Sequence, residues 1–343
     1  MKSEIISEKD LIKKDIKMLL ADADIIITNT VAKINYDLIN MYWELGKMIV
    51  LYKKERNSKH GESVIKNLTE ELYLNYGPGF NNRNIYRAIQ FYELFSNLPP
   101  GANLIEQNGE QKVSARRQFK NISWSHIREV LVLKDIKTIM YYLNEVESKA
   151  LTKNELIENI KSRAFERTIS NQRKGNVKHS IENTLKDPVN LKIKNKNRSE
   201  KELEDEIMKN IFNFMNEIGN SIMLYGRQFK LNNKGLIYKV DIVLYDKKNK
   251  YFILIDLKIN KTTQKDISQM KHYIDYFNKY IKEKSDKNTV GLILVETKDE
   301  RVETNEDIYQ IKYLNEIPKD KELLKIINEN KVILLKTESL KLK

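Results

Sequence analysis

Between Tyr238 and Lys258 the chain reads YKVDIVLYDKKNKYFILIDLK. Aromatic and β-branched residues fill two runs, 238–245 and 251–258, separated by the polar stretch 246–250. That pattern predicts two β-strands joined by a reversal, with Asn249 suited to the turn. Each run holds one acid among apolar neighbours, Asp241 and Asp256, and Lys258 follows two places after the second. Residues two apart on a strand share a face, so Asp256 and Lys258 point the same way, and Asp241 can meet them from the adjacent strand. Two carboxylates and an ammonium on one patch make a site for a divalent metal and a phosphate. The tripeptide itself carries little information, since Asp15-Ile16-Lys17 and Asp135-Ile136-Lys137 are near-copies on predicted helices. The apolar run FILIDLKI carries more, because charge inside such a run is costly without a partner or a task.

At 343 residues the chain has room for two domains, each with its own core. Lys and Arg number 61 against 48 for Asp and Glu, a formal charge of +13, which favours a polyanionic partner, nucleic acid before anything else. With no cysteine, disulfides and thiolate metal sites are excluded. No apolar run reaches membrane-spanning length and the charged start MKSEIISEKD is unlike a signal peptide, so a cytoplasmic protein without membrane contact is expected.

Residues 10–170 read as an all-helical domain. From 25 to 52, Val31, Ile34, Leu38, Met41, Leu45 and Met48 recur at helical spacing, with Tyr42 and Trp43 adding bulk. A helix over 62–76 stops at Gly77-Pro78-Gly79, and Asn81 or Asn82 caps a third. Helix, short glycine turn, helix is the layout of a helix-turn-helix-like unit. In it Arg83, Asn84 and Arg87 are the candidates for contact with bases or phosphates, and a plain helical hairpin is the competing reading. The stretch 98–121, with Pro99-Pro100-Gly101, reads as an insertion. Ser123 is expected to cap a helix over 124–133, where His126 has a capping or core role rather than a catalytic one. Helices at 135–147 and 153–168 complete the domain.

Residues 171–199 lose periodicity and turn basic, so they read as an interdomain linker. The domain over 200–343 opens with a helix at 200–218, whose Leu203, Ile207, Ile211, Phe214 and Ile218 share one face. A strand at 221–231, the hairpin, a helix from Thr262 or Thr263 to 284, and the buried strand NTVGLILVE follow. A strand at 308–314, a helix at 319–328 and a short strand at 332–335 end the chain. The order predicts an α/β sandwich around a mixed sheet, hence an α + α/β protein overall.

The arrangement resembles the PD-(D/E)xK nuclease superfamily: Asp241 on one strand, Asp256-Leu257-Lys258 on the next, then a helix with Gln269 and Tyr273. More narrowly it resembles the YhcG-type family, in which a helical N-terminal domain precedes such a nuclease domain. MYWELGKMI, YGPGFNNRNI, ISWSHIREV, NEIGN, GRQFKL, VDIVLY, LIDLK, SQMKHYI and TVGLIL carry the resemblance in order over most of the chain. It departs from the family pattern at Val240, where the motif has proline, and at Asp256, where glutamate is commoner.

The resemblance implies a restriction-endonuclease-like nuclease domain and a Mg²⁺- or Mn²⁺-dependent DNA endonuclease. Asp241 and Asp256, with the Leu257 carbonyl, would hold the metal, and Glu204 would add a further ligand. Lys258 would orient water or offset transition-state charge, and Gln269 and Tyr273 would brace the site. Arg227 and Gln228 would contact phosphate. Double-strand cleavage by one centre per chain favours a dimer. Defence against foreign DNA and DNA repair or recombination are both compatible roles. An inactive nucleic-acid-binding module of the same fold and a protein-interaction scaffold are the competing readings.

Overall fold

The computed structural model describes residues 8–56, 61–96, 120–170, 181, 184–193, 199–219, 221–233, 236–299, 301–302 and 307–329. Most of the insertion at 98–121, parts of 171–199 and the strand expected at 332–335 lie outside them. The chain divides into two units, Met1–Asn159 and Ile160–Lys343.

The first unit is helical. Its first helix, α1 (Glu8–Arg56), is longer at both ends than the periodicity over 25–52 suggests. After it come α2 (Gly61–Tyr76), a 3-10 turn (Pro78–Phe80) and α3 (Asn82–Phe95). The remaining helices are α4 (Trp124–Val130), α5 (Ile136–Lys149) and α6 (Lys153–Lys161), the last crossing the division.

The apolar residues of α1 split between two faces. Ile39, Tyr42, Trp43, Ile49 and Val50 are buried, whereas Val31, Ile34, Leu38 and Met48 stay exposed. Trp43 meets Phe91 and Tyr92 edge-on, and Tyr42 stacks on Trp124 at a ring separation of 4.1 Å. At Gly46 the backbones of α1 and α3 touch, since a Cβ there would stand 2.1 Å from the Ala88 carbonyl oxygen. His126 does cap: its Nδ1 accepts the Ser123 amide at 3.0 Å, closing a reciprocal box at the start of α4.

In the second unit α7 (Ala164–Ser170) precedes the edge strand β1 (Val189–Asn190). The helix expected over 200–218 breaks at Asn210 into α8 (Glu200–Lys209) and α9 (Ile211–Ile218). Next come β2 (Ile222–Asn233), β3 (Leu236–Asp246), β4 (Tyr251–Lys258), α10 (Gln264–Tyr276), β5 (Val290–Val295) and β6 (Ile308–Leu314). A helical stretch at 320–329 follows. The strands form one mixed sheet in the order β1-β6-β5-β4-β3-β2. Strands β4, β5, β6 and β1 run parallel, while β3 is antiparallel to both β4 and β2.

Both faces of the sheet are covered, as the near-continuous apolar runs of β4 and β5 require. Leu203, Ile207, Phe214 and Ile218 from α8 and α9 pack on one face. On the other lie Ile267, Met270, Tyr273 and Ile274 from α10.

The stretch read as a linker needs correcting. Leu185, Val189, Leu191 and Ile193 are buried in the second unit's core, and β1 pairs with β6. Arg167 and Lys186, which look like surface cations in the sequence, are buried against Glu217. Together with the division at 159/160, this puts residues 160–170 and 184–193 with the second unit.

Candidate active site

The β3–β4 ladder pairs Ile242 with Ile255, and one step beyond that pair stand Asp241 and Asp256. Where the strands part, the Leu257 amide donates to Asp241 Oδ2 at 2.9 Å, so the carboxylate takes the place of a backbone acceptor. Lys258 Nζ lies 2.8 Å from Asp256 Oδ2. Glu200 at 3.7 Å and Asp266 at 3.9 Å enclose the same ammonium. Glu200 opens α8 beside the capping Ser199, and Asp266 completes the Thr263 capping box of α10. In the sequence both read as helix-start acids, which hides their approach to Lys258.

Glu204 is 3% exposed and is held by two side chains from β2. Arg227 Nε donates to its Oε1, and Gln228 Nε2 to its Oε2 at 2.5 Å. Gln228 Nε2 also reaches Asp241 Oδ1 at 3.1 Å, tying the helix acid to the strand acid. Arg227 further bonds Asp205. Both β2 side chains are therefore turned onto acids here, not outward to a phosphate. Gln228 does this with φ at 48°, a left-handed backbone that costs a non-glycine residue about 1–3 kcal/mol and marks an over-determined position. Glu206, two residues on from Glu204, pairs with Lys209 instead.

Tyr273 is buried, and its hydroxyl donates to the Lys239 carbonyl at 3.0 Å. Gln269 donates to that hydroxyl in turn. The pair braces β3 two residues before Asp241. In the first unit Asn84 is buried and committed: it donates to the Gly79 carbonyl at 2.8 Å and accepts from Arg128 at 3.1 Å. Asn81 caps α3 and Arg87 bonds Gln90 at 2.6 Å, while Arg83 is exposed. Of the three residues expected to contact DNA there, Asn84 serves the fold, because a base edge would need the atoms it already uses.

The electrostatics set the acids apart. Burial pushes the Asp241 carboxyl up to about 6, with the neighbouring charges of Asp256 and Glu204 acting the same way against the Leu257 amide. Asp256 is also raised by burial, partly opposed by Lys258. Burial alone would lower Lys258, but Asp256, Glu200 and Asp266 outweigh it and hold the ammonium above its ordinary range. Two buried carboxylates that repel each other, beside a third acid and a strand carbonyl, are the oxygen set a hard divalent cation takes. In this arrangement Asp256 is drawn to Lys258 and Glu204 to Arg227. Among the described residues no three acidic or histidine groups are gathered closely enough to hold an ion.

A stability test follows from Asp241. Its folded value lies above the 3.8 of an ordinary aspartate, so its ionised form opposes folding above pH 6 and not below pH 4. Asp241→Asn keeps an acceptor for Leu257 and removes the charge. Without divalent metal the variant should be about 2 kcal/mol more stable than wild type at pH 8, with the gain vanishing near pH 4. Denaturant titrations at the two pH values measure this, and equal stability at both would remove the repulsion from the account.

With the geometry in view, comparison with known proteins gives a consistent placement. Residues 16–167 match the DUF1016 N-terminal domain, and residues 182–323 match the YhcG PDDEXK nuclease domain. An Escherichia coli (strain K12) protein named "Putative nuclease YhcG" is 24% identical over 297 residues, 78% of this chain and 79% of its own length. A crystal structure of a repair endonuclease from Pyrococcus abyssi aligns at 21% identity with 36% of this chain and 50% of that one. Its TM-score is 0.24. No helix among the described residues is long and apolar enough to cross a membrane. A DUF1016 domain followed by a PDDEXK domain, matched along most of the sequence, means that this chain belongs to the YhcG-type family of the PD-(D/E)xK nuclease superfamily.

Proposed function

We propose that the chain is a metal-dependent DNA endonuclease whose centre is built on Asp241, Asp256 and Lys258, with Glu204 as the outlying acid. The observation that carries this reading is the pair of buried carboxylates facing each other beside a protonated lysine at the rim of the sheet. Asp241 and Asp256, with the Leu257 carbonyl, would hold Mg²⁺ or Mn²⁺, and Glu204 lies one glutamine away through Gln228. Such an ion supplies Lewis-acid polarisation of a phosphate oxygen and a more acidic bound water.

The residues of the chain do the rest. Because Lys258 is held above its ordinary range it stays charged at neutral pH, so it acts as a cation facing developing phosphate charge and not as a base. Asp256, Glu200 and Asp266 fix where that ammonium points. Gln228 holds Glu204 to Asp241, and Tyr273 pins the backbone of β3. A net charge of +13 adds salt-dependent attraction to the phosphate backbone. The coarser conclusion, a nuclease-family protein acting on nucleic acid, rests on the domain matches. Defence against foreign DNA and DNA repair or recombination both remain compatible roles for it.

The test is purified full-length protein with supercoiled plasmid. Nicked and linear products are expected with Mg²⁺ or Mn²⁺ and none with chelator, and binding should weaken steeply as salt rises. Salt-dependent binding without products under any divalent ion would leave an inactive nucleic-acid-binding module instead.

A further inference from the structure

The N-terminal half of α1 carries an apolar stripe that its own unit does not use. Ile16, Leu20, Ala23, Ile27, Val31, Ile34 and Leu38 are spaced 4, 3, 4, 4, 3 and 4 apart, so they line one side of the helix. The six larger residues of the stripe are 38–60% exposed. The face of α1 that packs internally, through Ile39, Trp43 and Val50, lies about a third of a turn or more from the centre of the stripe, with Tyr42 and Ile49 on its near edge. Met18 and Ile25 fall outside the stripe.

We infer that this stripe is a self-association surface, pairing with the same stripe of a second copy in an antiparallel arrangement about a two-fold axis near Ile27. Two observations select a second copy as the occupant. First, the spacing reads the same in both directions about Ile27, so reversing one helix sets Ile16 opposite Leu38, Leu20 opposite Ile34 and Ala23 opposite Val31. That is the self-complementarity an isologous interface requires, in which each residue and its counterpart exchange places across the axis. Second, the stripe with the flanking Leu19 and Ile26 exposes roughly 800–900 Å², close to the roughly 800 Å² per partner of a specific interface. The pair of helices would run for about 33 Å, and the assembly would hold two nuclease domains.

The measurement is independent of nuclease activity, so a failure here leaves the catalytic reading standing. Wild-type chain should sediment at twice 40.6 kDa. The double variant Leu20→Glu/Ile34→Glu should sediment at once that mass with its far-ultraviolet helix signal retained. Because the chain has no cysteine, single cysteines report cleanly. Under mild oxidation Ile27→Cys should cross-link in high yield, and Ile25→Cys on the far side should not. Leu20→Cys alone should stay uncoupled, yet should couple when mixed with Ile34→Cys chains. A wild-type monomer at tens of micromolar, a dimer that survives the two glutamates, or equal coupling at positions 25 and 27 would each overturn the pairing. Coupling of Leu20→Cys with itself would overturn the antiparallel sense.

Discussion

Asp256→Ala should reduce plasmid cleavage to background, and Lys258→Ala should lower the rate by roughly 10²–10³-fold at unchanged metal concentration. The two losses have different origins. Asp256 is buried against the lysine and faces the field of Asp241, so its removal takes away a charged oxygen that the cation needs and the partner that aims Lys258. Removing Lys258 leaves both acids but deletes the positive group facing the phosphate. Asp256→Ala should leave the domain folded, because burial already holds Asp256 above its ordinary carboxylate range and its ionised form opposes folding. Its circular dichroism and melting temperature should match or exceed wild type while the products disappear, whereas Lys258→Ala removes a cation whose charged form the fold favours and should melt somewhat lower with its circular dichroism retained. Lys258→Arg keeps the charge with a wider, planar head and should recover only part of the rate. Wild-type cleavage that persists in both alanine variants would place the chemistry elsewhere in the molecule.

The hairpin was legible because a half-buried strand leaves its mark in the sequence. Alternation and β-branching set 238–245 and 251–258, and an acid amid apolar residues at 241 and 256 called for an explanation. Caps were legible for the same local reason, as at Ser123 and Thr263. What the sequence hides is which distant surface a residue meets. Val189 and Asn190 form a two-residue edge strand whose pairing is set by Tyr313 and Leu314, more than 120 positions on, so the stretch reads as linker. Arg227 and Gln228 look like phosphate contacts until folding brings Glu204, Asp205 and Asp241 to them. Asn84 looks like a base reader because an amide that holds a loop carbonyl and one that holds adenine are the same residue type. On α1 the period of the apolar positions gave the helix but not which stripe turns inward, since that depends on where α3 packs.

Glu217→Ala should cost the second unit about 3–5 kcal/mol, a large share of the 5–15 kcal/mol that holds a domain folded. Glu217 is 7% exposed on α9. Its Oε2 accepts from Arg167 Nη1 at 2.5 Å and from the Asn190 amide at 2.9 Å, and its Oε1 accepts from Lys186 Nζ at 3.1 Å. One carboxylate thus joins α7, the segment before β1, and β1 itself to α9. Burial would raise its pKa, but Arg167 and Lys186 outweigh that and hold it well below the ordinary value near 4.5. A depressed acid stabilises the fold above its unfolded value and loses that contribution as pH falls below about 4.5 toward its folded one. Alanine takes the shared anion from two buried cations at every pH. Glu217→Gln keeps the shape and part of the hydrogen bonding without the charge, so it should fall between wild type and alanine at pH 7. It should also lack the part of the wild-type acid sensitivity that Glu217 contributes. Denaturant titrations of the three proteins from pH 7 to pH 3 separate charge from packing. Equal losses for glutamine and alanine would assign the whole effect to the lost charge, and a glutamine variant as stable as wild type would assign it to packing and hydrogen-bond shape. Cleavage should fail in Glu217→Ala only as the domain unfolds, whereas Asp256→Ala should lose cleavage while folded, and that contrast distinguishes the residue that holds the sheet edge from the one that faces the substrate.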